Sequence, residues 1–427
     1  MLRVTPYKLS NNRWFNIKLN WAILSLGILF VTLISYILFS FQQIKARGIF
    51  EYVGIDFRLL YASGLIARTH GFSAVYDPAF QAQYQRPLYD AFSRFVPNLT
   101  LPFWALPIPY LPVFVAPIVP LSFLPPLPAF LAWVGLNVII TLGYLYLWIR
   151  RLSFDRVALV AAGAVFLSIA NFLNLIFGQV NLVLMVAMGE ALYHLMQGRE
   201  GHAGLWLALG WIKPQMILLL VLVVALRRHW RFVRGFLGGS LLVGGASLIL
   251  GGWNSVTGVI QMLRNWPVIS RSSGITWLSA ADHLTARGVT SWIALGMGGM
   301  IALVALLVWL DMMRADRLWD EPSPWAEIFL ATLATEAIVM PHGNVHMALA
   351  LGIPWLIVVR QRPDGLTWGV FLTWALLNGL IFIGDSQRSA NHAHDLLGML
   401  MLLSHLTILL LLYRTQRMKM MTSTARS

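Results

Sequence analysis

Eleven long apolar runs dominate this sequence of 427 residues and limit what it can fold into. The first, residues 21–40, carries no charge and matches the roughly 20 residues with which an α-helix crosses a bilayer. Charged residues make up 11% of the chain, whereas a soluble domain has roughly 25%. The runs are 21–40, 127–148, 158–177, 180–196, 203–226, 236–253, 291–310, 328–340, 347–359, 366–384 and 396–413. They predict an all-α, polytopic membrane protein.

A proline-rich stretch leaves two alternatives for the topology. Nine prolines fall within residues 102–128, which are otherwise mostly apolar. Because proline removes a helix hydrogen bond, this stretch is either a short span or a segment that dips into the membrane and returns. The first alternative places Arg150 and Arg151 outside, against the positive-inside rule, and the second returns them to the cytoplasm. We expect about 11 to 13 transmembrane helices.

Basic residues at both chain ends predict the orientation. Lysines and arginines precede the first run and follow the last one. By the positive-inside rule, residues 1–18 and 414–427 are then cytoplasmic. The chain is predicted to be one integral membrane domain, 1–427, with a first outer loop at 42–107 that carries interfacial helices, and a second at 254–290. The net charge of +14 thus indicates orientation rather than a nucleic-acid partner.

Several common chemistries are excluded by missing motifs. The chain has no cysteine, so disulfides, thiol catalysis and cysteine metal sites are excluded. It has no Gly-x-x-x-x-Gly-Lys phosphate loop, no Gly-x-Ser-x-Gly elbow and no His-Glu-x-x-His zinc helix. No two aspartates lie two residues apart, so the Asp-x-Asp metal motif used with nucleotide sugars is also missing. We predict no cofactor and no metal.

Asp56 stands at the start of the predicted first outer loop, in the run Gly54-Ile55-Asp56-Phe57-Arg58. A carboxylate there is a candidate general base that takes a proton from an acceptor hydroxyl. The alternative is a structural carboxylate, solvated by headgroups or paired with Arg58. The residues alone leave both interpretations open.

Lys213 interrupts the apolar run 203–226 and is followed by Pro214. A charge within a membrane span indicates either a function or a buried partner. A lipid phosphate would suit this cation, and the alternative is an ion pair with Glu190 or Glu336. Glu190 is also one helical turn from His194, which favours a local stabilising pair.

Two further polar groups are candidate binding residues. The amides of Gln179 and Asn181 can bind sugar hydroxyls, although polar contacts between helices are an equally common role. His342 and His346 share the predicted outer side with Asp56, and can donate to a phosphate or a sugar. No third metal ligand is apparent beside them, and an ordinary polar turn is the alternative.

An ordered set of short motifs resembles the signature of glycosyltransferase family 87. The motifs are Ile55-Asp56-Phe57, Tyr61-Ala62-Ser63, Gly71, Val75-Tyr76-Asp77, the proline-rich stretch, Gly178-Gln179-Val180-Asn181 and Lys213-Pro214-Gln215. That family comprises multi-pass enzymes of GT-C type that use polyprenyl-phosphate sugars, notably mannosyltransferases. The resemblance implies that Asp56 is the catalytic base and that His342 or His346 lies near the donor. Ile55 departs from the serine that often precedes the acid.

The function implied by the resemblance is inverting transfer of a hexose, mannose in the best-known cases. The donor would be a polyprenyl-phosphate sugar, and the acceptor a lipid-linked molecule or a glycan. The enzyme would be an inner (plasma) membrane protein whose site faces the periplasm or exterior. The expected substrate-binding residues are Arg58, Tyr61, Gln179, Asn181, Lys213, His342 and His346. A transporter or flippase of lipid-linked sugars is the alternative, and a structural subunit of an envelope assembly explains Asp56 and Lys213 less well.

Overall fold

The computed structural model describes residues 13–93, 103, 105–152, 155–264, 274–315, 324–386 and 390–424. The chain is 85% helical, and the β-structure among the described residues consists of isolated bridges at Ile49–Val53 and Gly274–Asn344. The α-helices of this part are α1 Arg13–Arg47, α2 Ile55–His70, α3 Pro78–Ser93, α4 Pro112–Val115, α5 Pro126–Arg151, α6 Arg156–Phe166, α7 Ile169–Phe177, α8 Asn181–Met196, α9 Glu200–Leu207, α10 Leu218–Leu226, α11 Trp230–Arg264, α12 Trp277–Ala286, α13 Ser291–Arg314, α14 Trp325–Val339, α15 Gly352–Gln361, α16 Gly365–Leu372, α17 Asn378–Ser386 and α18 Ala390–Thr424. The predicted all-α, polytopic class is confirmed.

Short stretches of tighter or wider helix join several of these elements. Segments of 3-10 helix occupy Phe72–Tyr76, Ala116–Phe123, Ala208–Ile212, Pro214–Met216 and Val345–Leu351, and a π-helix occupies Thr373–Leu377. The predicted run 203–226 is therefore interrupted in its middle, around Lys213. Part of the predicted second outer loop, residues 265–273, lies outside the described residues, as do residues 94–102 of the first.

Six helices among the described residues are long and apolar enough to cross a membrane. A seventh crossing is added if α6 and α7, which meet at 43°, count as one bent span. The bend has a local cause, because the Ser168 side chain accepts a hydrogen bond from the Asn171 N–H and starts a new helix. Three shorter apolar helices occupy Pro112–Phe123, Asn181–Met196 and Val345–Gln361. The count of about 11 to 13 stays a prediction.

The proline-rich stretch is held against α2 near its end. The Tyr61 hydroxyl donates to the Leu124 carbonyl at 2.7 Å, and Arg68 donates to the Ser122 carbonyl at 2.6 Å. The helix α5 then starts at Pro126 and ends at Arg151. Just beyond its end, Asp155 pairs with Arg360 at 2.9 Å. Arg151 therefore lies on the side of Arg360, which favours the alternative in which the proline-rich stretch does not cross.

Ion pairs and hydrogen bonds define one face of the protein, which we call the arginine face (Arg151, Arg227, Arg360 and Arg362). Arg151 binds Glu190, and Arg362 binds Glu327. Arg227 donates to the Met313 carbonyl. Helix α5 connects this face to the opposite one, which carries the N-terminal end of α2 and which we call the Asp56 face.

Candidate active site

Asp56 is placed by a tight turn between α1 and α2. Three residues of the turn adopt left-handed φ angles, namely Gly48 at 77°, Phe50 at 66° and Gly54 at 75°. The Gly54 N–H donates to the Ile176 carbonyl at 2.6 Å, which ties the start of α2 to the end of α7. Asp56 consequently lies in the first turn of α2, where the helix dipole favours a negative charge.

Gly178 allows the end of α7 to approach α2 closely. It has a φ of 73°, and a Cβ on this residue would lie 2.5 Å from the Phe57 Cβ. The Trp133 Nε1 donates to the Gly178 carbonyl at 3.0 Å and holds the turn from α5. Only glycine fits both the backbone angle and the space, and the next residue, Gln179, is thereby brought to Asp56.

The Gln179 amide connects Asp56 with Lys213. Its Oε1 accepts from the Lys213 Nζ at 3.3 Å and from the Tyr110 hydroxyl at 3.4 Å. Its side chain also lies beside the Asp56 carboxylate and favours its charged form. Carboxylate, amide and ammonium therefore form one continuous polar chain, and Tyr110 contacts its centre.

Lys213 occupies a break in the helical chain rather than the middle of a helix. Its backbone is not helical, with φ −145° and ψ 76°, because the following proline disfavours the α-helical region. The residue is 8% exposed, and its charge acts on Asp56. The two acids that the sequence offered as partners are bound elsewhere, Glu190 by Arg151 at 2.6 Å and Glu336 by the Leu219 N–H.

The pairing expected for Glu190 and His194 needs correction. The carboxylate of Glu190 accepts hydrogen bonds from both Nη atoms of Arg151, at 2.6 and 3.1 Å. The ring of His194 instead stacks on that of His202, with centroids 5.4 Å apart. A guanidinium from α5 offers two hydrogen bonds to the carboxylate in one plane, which the neighbouring imidazole does not.

The surroundings of Asp56 make its carboxyl a stronger base than an aspartate in water. Desolvation raises the pKa of Asp56, while the side chain of Gln179 and the charges of Lys213 and Arg58 oppose the shift. The residue as a whole is half-buried, so a reactant can reach it. A carboxylate with a raised pKa that a reactant can reach is typical of a general base.

The two histidines reach the same region from the other half of the chain. The charge of Lys213 acts on both His342 and His346. His342 is exposed, whereas His346 is 4% exposed with its ring 6.2 Å from that of Phe177. Their loop is anchored by the Ile275 N–H, which donates to the Gly343 carbonyl at 2.9 Å. Within the described ranges, no three His, Asp or Glu side chains converge as metal ligands would.

Three of the expected substrate-binding residues make hydrogen bonds within the protein. The Tyr61 hydroxyl donates a hydrogen bond to the Leu124 carbonyl. Asn181 is fully buried, and its backbone and side-chain N–H groups donate to Asn174 at 3.0 and 3.2 Å. The guanidinium of Arg58 donates to the Phe50 carbonyl at 3.2 Å, which braces the turn before Asp56. These contacts favour supporting roles for all three.

Tyr110 is a site residue that the sequence reasoning missed. It is buried, and its own carbonyl accepts from the Tyr76 hydroxyl at 2.7 Å. It stands among the prolines of a stretch considered only for its topology. A hydroxyl-bearing side chain in an otherwise apolar segment was the available signal.

Helix α8 leads from the site towards the arginine face. Helix α8 starts at Asn181 beside Gln179 and has 16 residues, a length of about 24 Å at 1.5 Å per residue. Its other end approaches the arginine face near the Glu190–Arg151 pair.

Comparison with protein-family models matches residues 109–341, more than half of the chain, to glycosyltransferase family 87. The matched segment contains Gln179, Asn181 and Lys213, while Asp56 precedes it and His342 follows directly after it. Comparisons with curated proteins and with solved structures gave no match. With its multiple apolar helices and this match, the chain belongs to glycosyltransferase family 87.

Proposed function

We propose that this glycosyltransferase transfers a hexose, with mannose the first candidate, from a polyprenyl-phosphate sugar to a lipid-linked or glycan acceptor. The observation that carries the proposal is the polar chain Asp56–Gln179–Lys213. It supplies a base and a cation on either side of an amide, which is what an acceptor hydroxyl and a leaving phosphate need. Donor class, sugar and GT-C architecture come from the family resemblance.

The proposed reaction is a single displacement at the anomeric carbon. The acceptor oxygen forms a bond to that carbon as Asp56 takes the hydroxyl proton. The bond from the anomeric carbon to the phosphate oxygen breaks, and polyprenyl phosphate leaves with the electron pair. Since the attack comes from the side opposite the leaving group, the configuration inverts.

Lys213 would stabilise the charge that develops on the leaving phosphate. An ammonium held in a largely dry site is effective because little water screens it. His342 and His346 lie within the electrostatic reach of Lys213 and would complete the donor side. Gln179 would keep the base and the cation apart, so that they do not neutralise each other in a direct ion pair.

The proposed orientation places the arginine face in the cytoplasm. Cytoplasmic loops of membrane proteins carry an excess of Lys and Arg, and this face carries Arg151, Arg227 and Arg360. Asp56 would then face the periplasm or exterior, in a single membrane domain with outer loops at 42–107 and 254–290. The polyprenyl tail would lie in the surrounding lipid, with its phosphate at the level of the site.

The test supplies purified protein with polyprenyl-phosphate mannose and extracted membrane lipids as acceptors. We expect wild type to form a mannosylated product and Asp56→Asn to lose nearly all turnover while still binding donor, because asparagine keeps the shape of the side chain but accepts no proton. Turnover that persists in Asp56→Asn would exclude Asp56 as the base.

A parallel assay addresses the transporter alternative. Wild-type protein in vesicles is given the same lipid-linked sugar, and movement between leaflets is followed without acceptor. Movement without transfer, for every polyprenyl-phosphate sugar supplied, would replace the proposed reaction with transport.

A further inference from the structure

Helix α10 begins without a capping side chain of its own. It has nine residues, Leu218–Leu226, and the residue before it is Ile217, which offers no side-chain acceptor. The first N–H groups of any α-helix have no partner within the helix. In an apolar setting each unpaired N–H costs free energy, so a cap must come from elsewhere.

Backbone hydrogen bonds satisfy the N–H groups of the preceding break and those of α10 from Val221 onward, but not those of the first residues of α10. The N–H groups of Lys213, Met216 and Ile217 donate to carbonyls within the break, at 2.8, 2.9 and 3.1 Å. Within α10, the first bond back to the break runs from the Val221 N–H to the Ile217 carbonyl at 2.9 Å. The N–H groups at the start of α10 are left to be satisfied from outside.

Glu336, on α14, supplies this cap. Its Oε1 accepts a hydrogen bond from the Leu219 N–H. The residue is fully buried, and α14 packs against both α10 and the Pro214–Met216 turn. A carboxylate at a helix N-terminus is also favoured by the helix dipole.

We infer that Glu336 is a positioning residue that fixes the Lys213 break by capping α10 from a neighbouring helix. The inference rests on the proposed function, because it assigns Glu336 the task of presenting Lys213 to the donor phosphate. Glu336 also stands just before the loop of the two histidines, and its carbonyl accepts from the Met340 N–H at 3.0 Å. One residue thus joins the two segments that form the donor side of the site.

The cap has a second effect on where a phosphate binds. A free helix N-terminus attracts phosphate groups through its N–H groups and its dipole. With Glu336 in place, the N-terminus of α10 is occupied by a carboxylate, and a phosphate is directed to the Lys213 ammonium instead.

The test uses the natural absence of cysteine from the chain. Gln215→Cys places a single thiol in the Pro214–Met216 turn, where the native side chain is half-buried. The rate at which a water-soluble maleimide modifies it reports how firmly the break is held. Asn254→Cys, at an exposed position of α11, is the matched control. Both are compared with native Glu336, Glu336→Gln and Glu336→Leu.

We expect Glu336→Leu to raise the labelling rate in the turn on the order of 10- to 100-fold and to leave the Asn254→Cys rate unchanged. Glu336→Gln keeps an acceptor oxygen, and its rate should lie between the two. If Glu336→Leu does not fold, a rise on the order of fivefold in Glu336→Gln decides the matter. Equal rates at the turn in native protein and in the folded variants would overturn the inference.

The activity readout links the cap to Lys213. With Gln215 native, Glu336→Gln should raise the KM for donor while the KM for acceptor stays the same. In a Lys213→Ala background the same change should add little, because both changes act on one interaction. A full additional effect there would show that Glu336 acts by another route. Labelling needs no turnover, so failure of the proposed reaction and failure of the cap are told apart.

Discussion

Replacing Gly178 with alanine should separate the two halves of the candidate site. The backbone there has a φ of 73°, and the added Cβ would lie 2.5 Å from the Phe57 Cβ. A left-handed alanine costs about 1–2 kcal/mol. Relief of the overlap between two backbone-anchored carbons costs about 1–3 kcal/mol more. We therefore expect Gly178→Ala to lower the free energy of unfolding by about 2–5 kcal/mol.

The chain offers a close control at Gly198. This glycine ends α8 as Gly178 ends α7, with a φ of 70° and no atom within 4 Å of an added Cβ. The hydrogen bonds of the two turns also correspond, since the Gln179 N–H donates to Asn174 and the Arg199 N–H donates to His194, both at 2.8 Å. Gly198→Ala should cost only the left-handed strain, about 1–2 kcal/mol.

The assay compares thermal unfolding of both variants in the same detergent and then measures sugar transfer below both transitions. A shift of Gln179 by about 1 Å should lower turnover of Gly178→Ala on the order of 100-fold, whereas Gly198→Ala should retain near-native turnover. If Gly178→Ala is no less stable than Gly198→Ala, or if both keep the same turnover, the contact with Phe57 does not position Gln179 and the reasoning is refuted.

Three further outcomes follow from the site and the faces. Transfer should fall as the pH drops through the raised pKa of Asp56, because the base must be ionised; a rate that persists down to the ordinary aspartate range of about 4 would contradict the desolvated base. Lys213→Ala should raise the donor KM on the order of 10- to 100-fold with little change in acceptor KM, and Lys213→Arg should restore part of it because the charge is kept; equal donor KM in all three proteins would remove Lys213 from the donor side. Arg151→Ala should lower the free energy of unfolding by about 3–5 kcal/mol, since it leaves Glu190 buried and unpaired, yet leave both KM values unchanged; thermal unfolding and steady-state kinetics check this, with a KM shift as the contrary result.

Much of the fold could be predicted from the sequence because membrane spans have a direct signature. The run 127–148 became α5 and the run 291–310 became α13, since length and apolarity decide both. The interruption at Lys213 was also readable, because a charge followed by proline opposes a continuous helix. Sequence patterns of this kind depend only on neighbouring residues and on whether lipid or water surrounds them.

The partners of each polar group could not be predicted in the same way. Glu190 had two candidate partners within the sequence argument, Lys213 and His194, and the structure joins it to Arg151, which comes from another helix. Tyr61 and Asn181 carry groups that could bind a sugar by hydrogen bonds, yet both donate hydrogen bonds to a carbonyl or an amide of the protein itself. Which donor meets which acceptor depends on helix packing, and a single sequence carries little information on that. Helix packing places the turn before α2, the Gly178 turn and the break at Lys213 close together, and this brings Asp56, Gln179 and Lys213 into one site.

The 3-10 segment before α15 changes how crossings should be counted. Val345–Leu351 has seven residues and α15 has ten, so the pair is shorter than the usual membrane helix. Because 3-10 helix rises about 2.0 Å per residue instead of about 1.5 Å, the two together reach roughly 29 Å, nearly the thickness of the hydrocarbon core. This segment runs from His346, near Lys213, to the Arg360–Asp155 pair on the arginine face. A stretched helix therefore gives 17 residues a length that otherwise takes about 20, and we expect that counting by residue number alone misses this segment as a crossing.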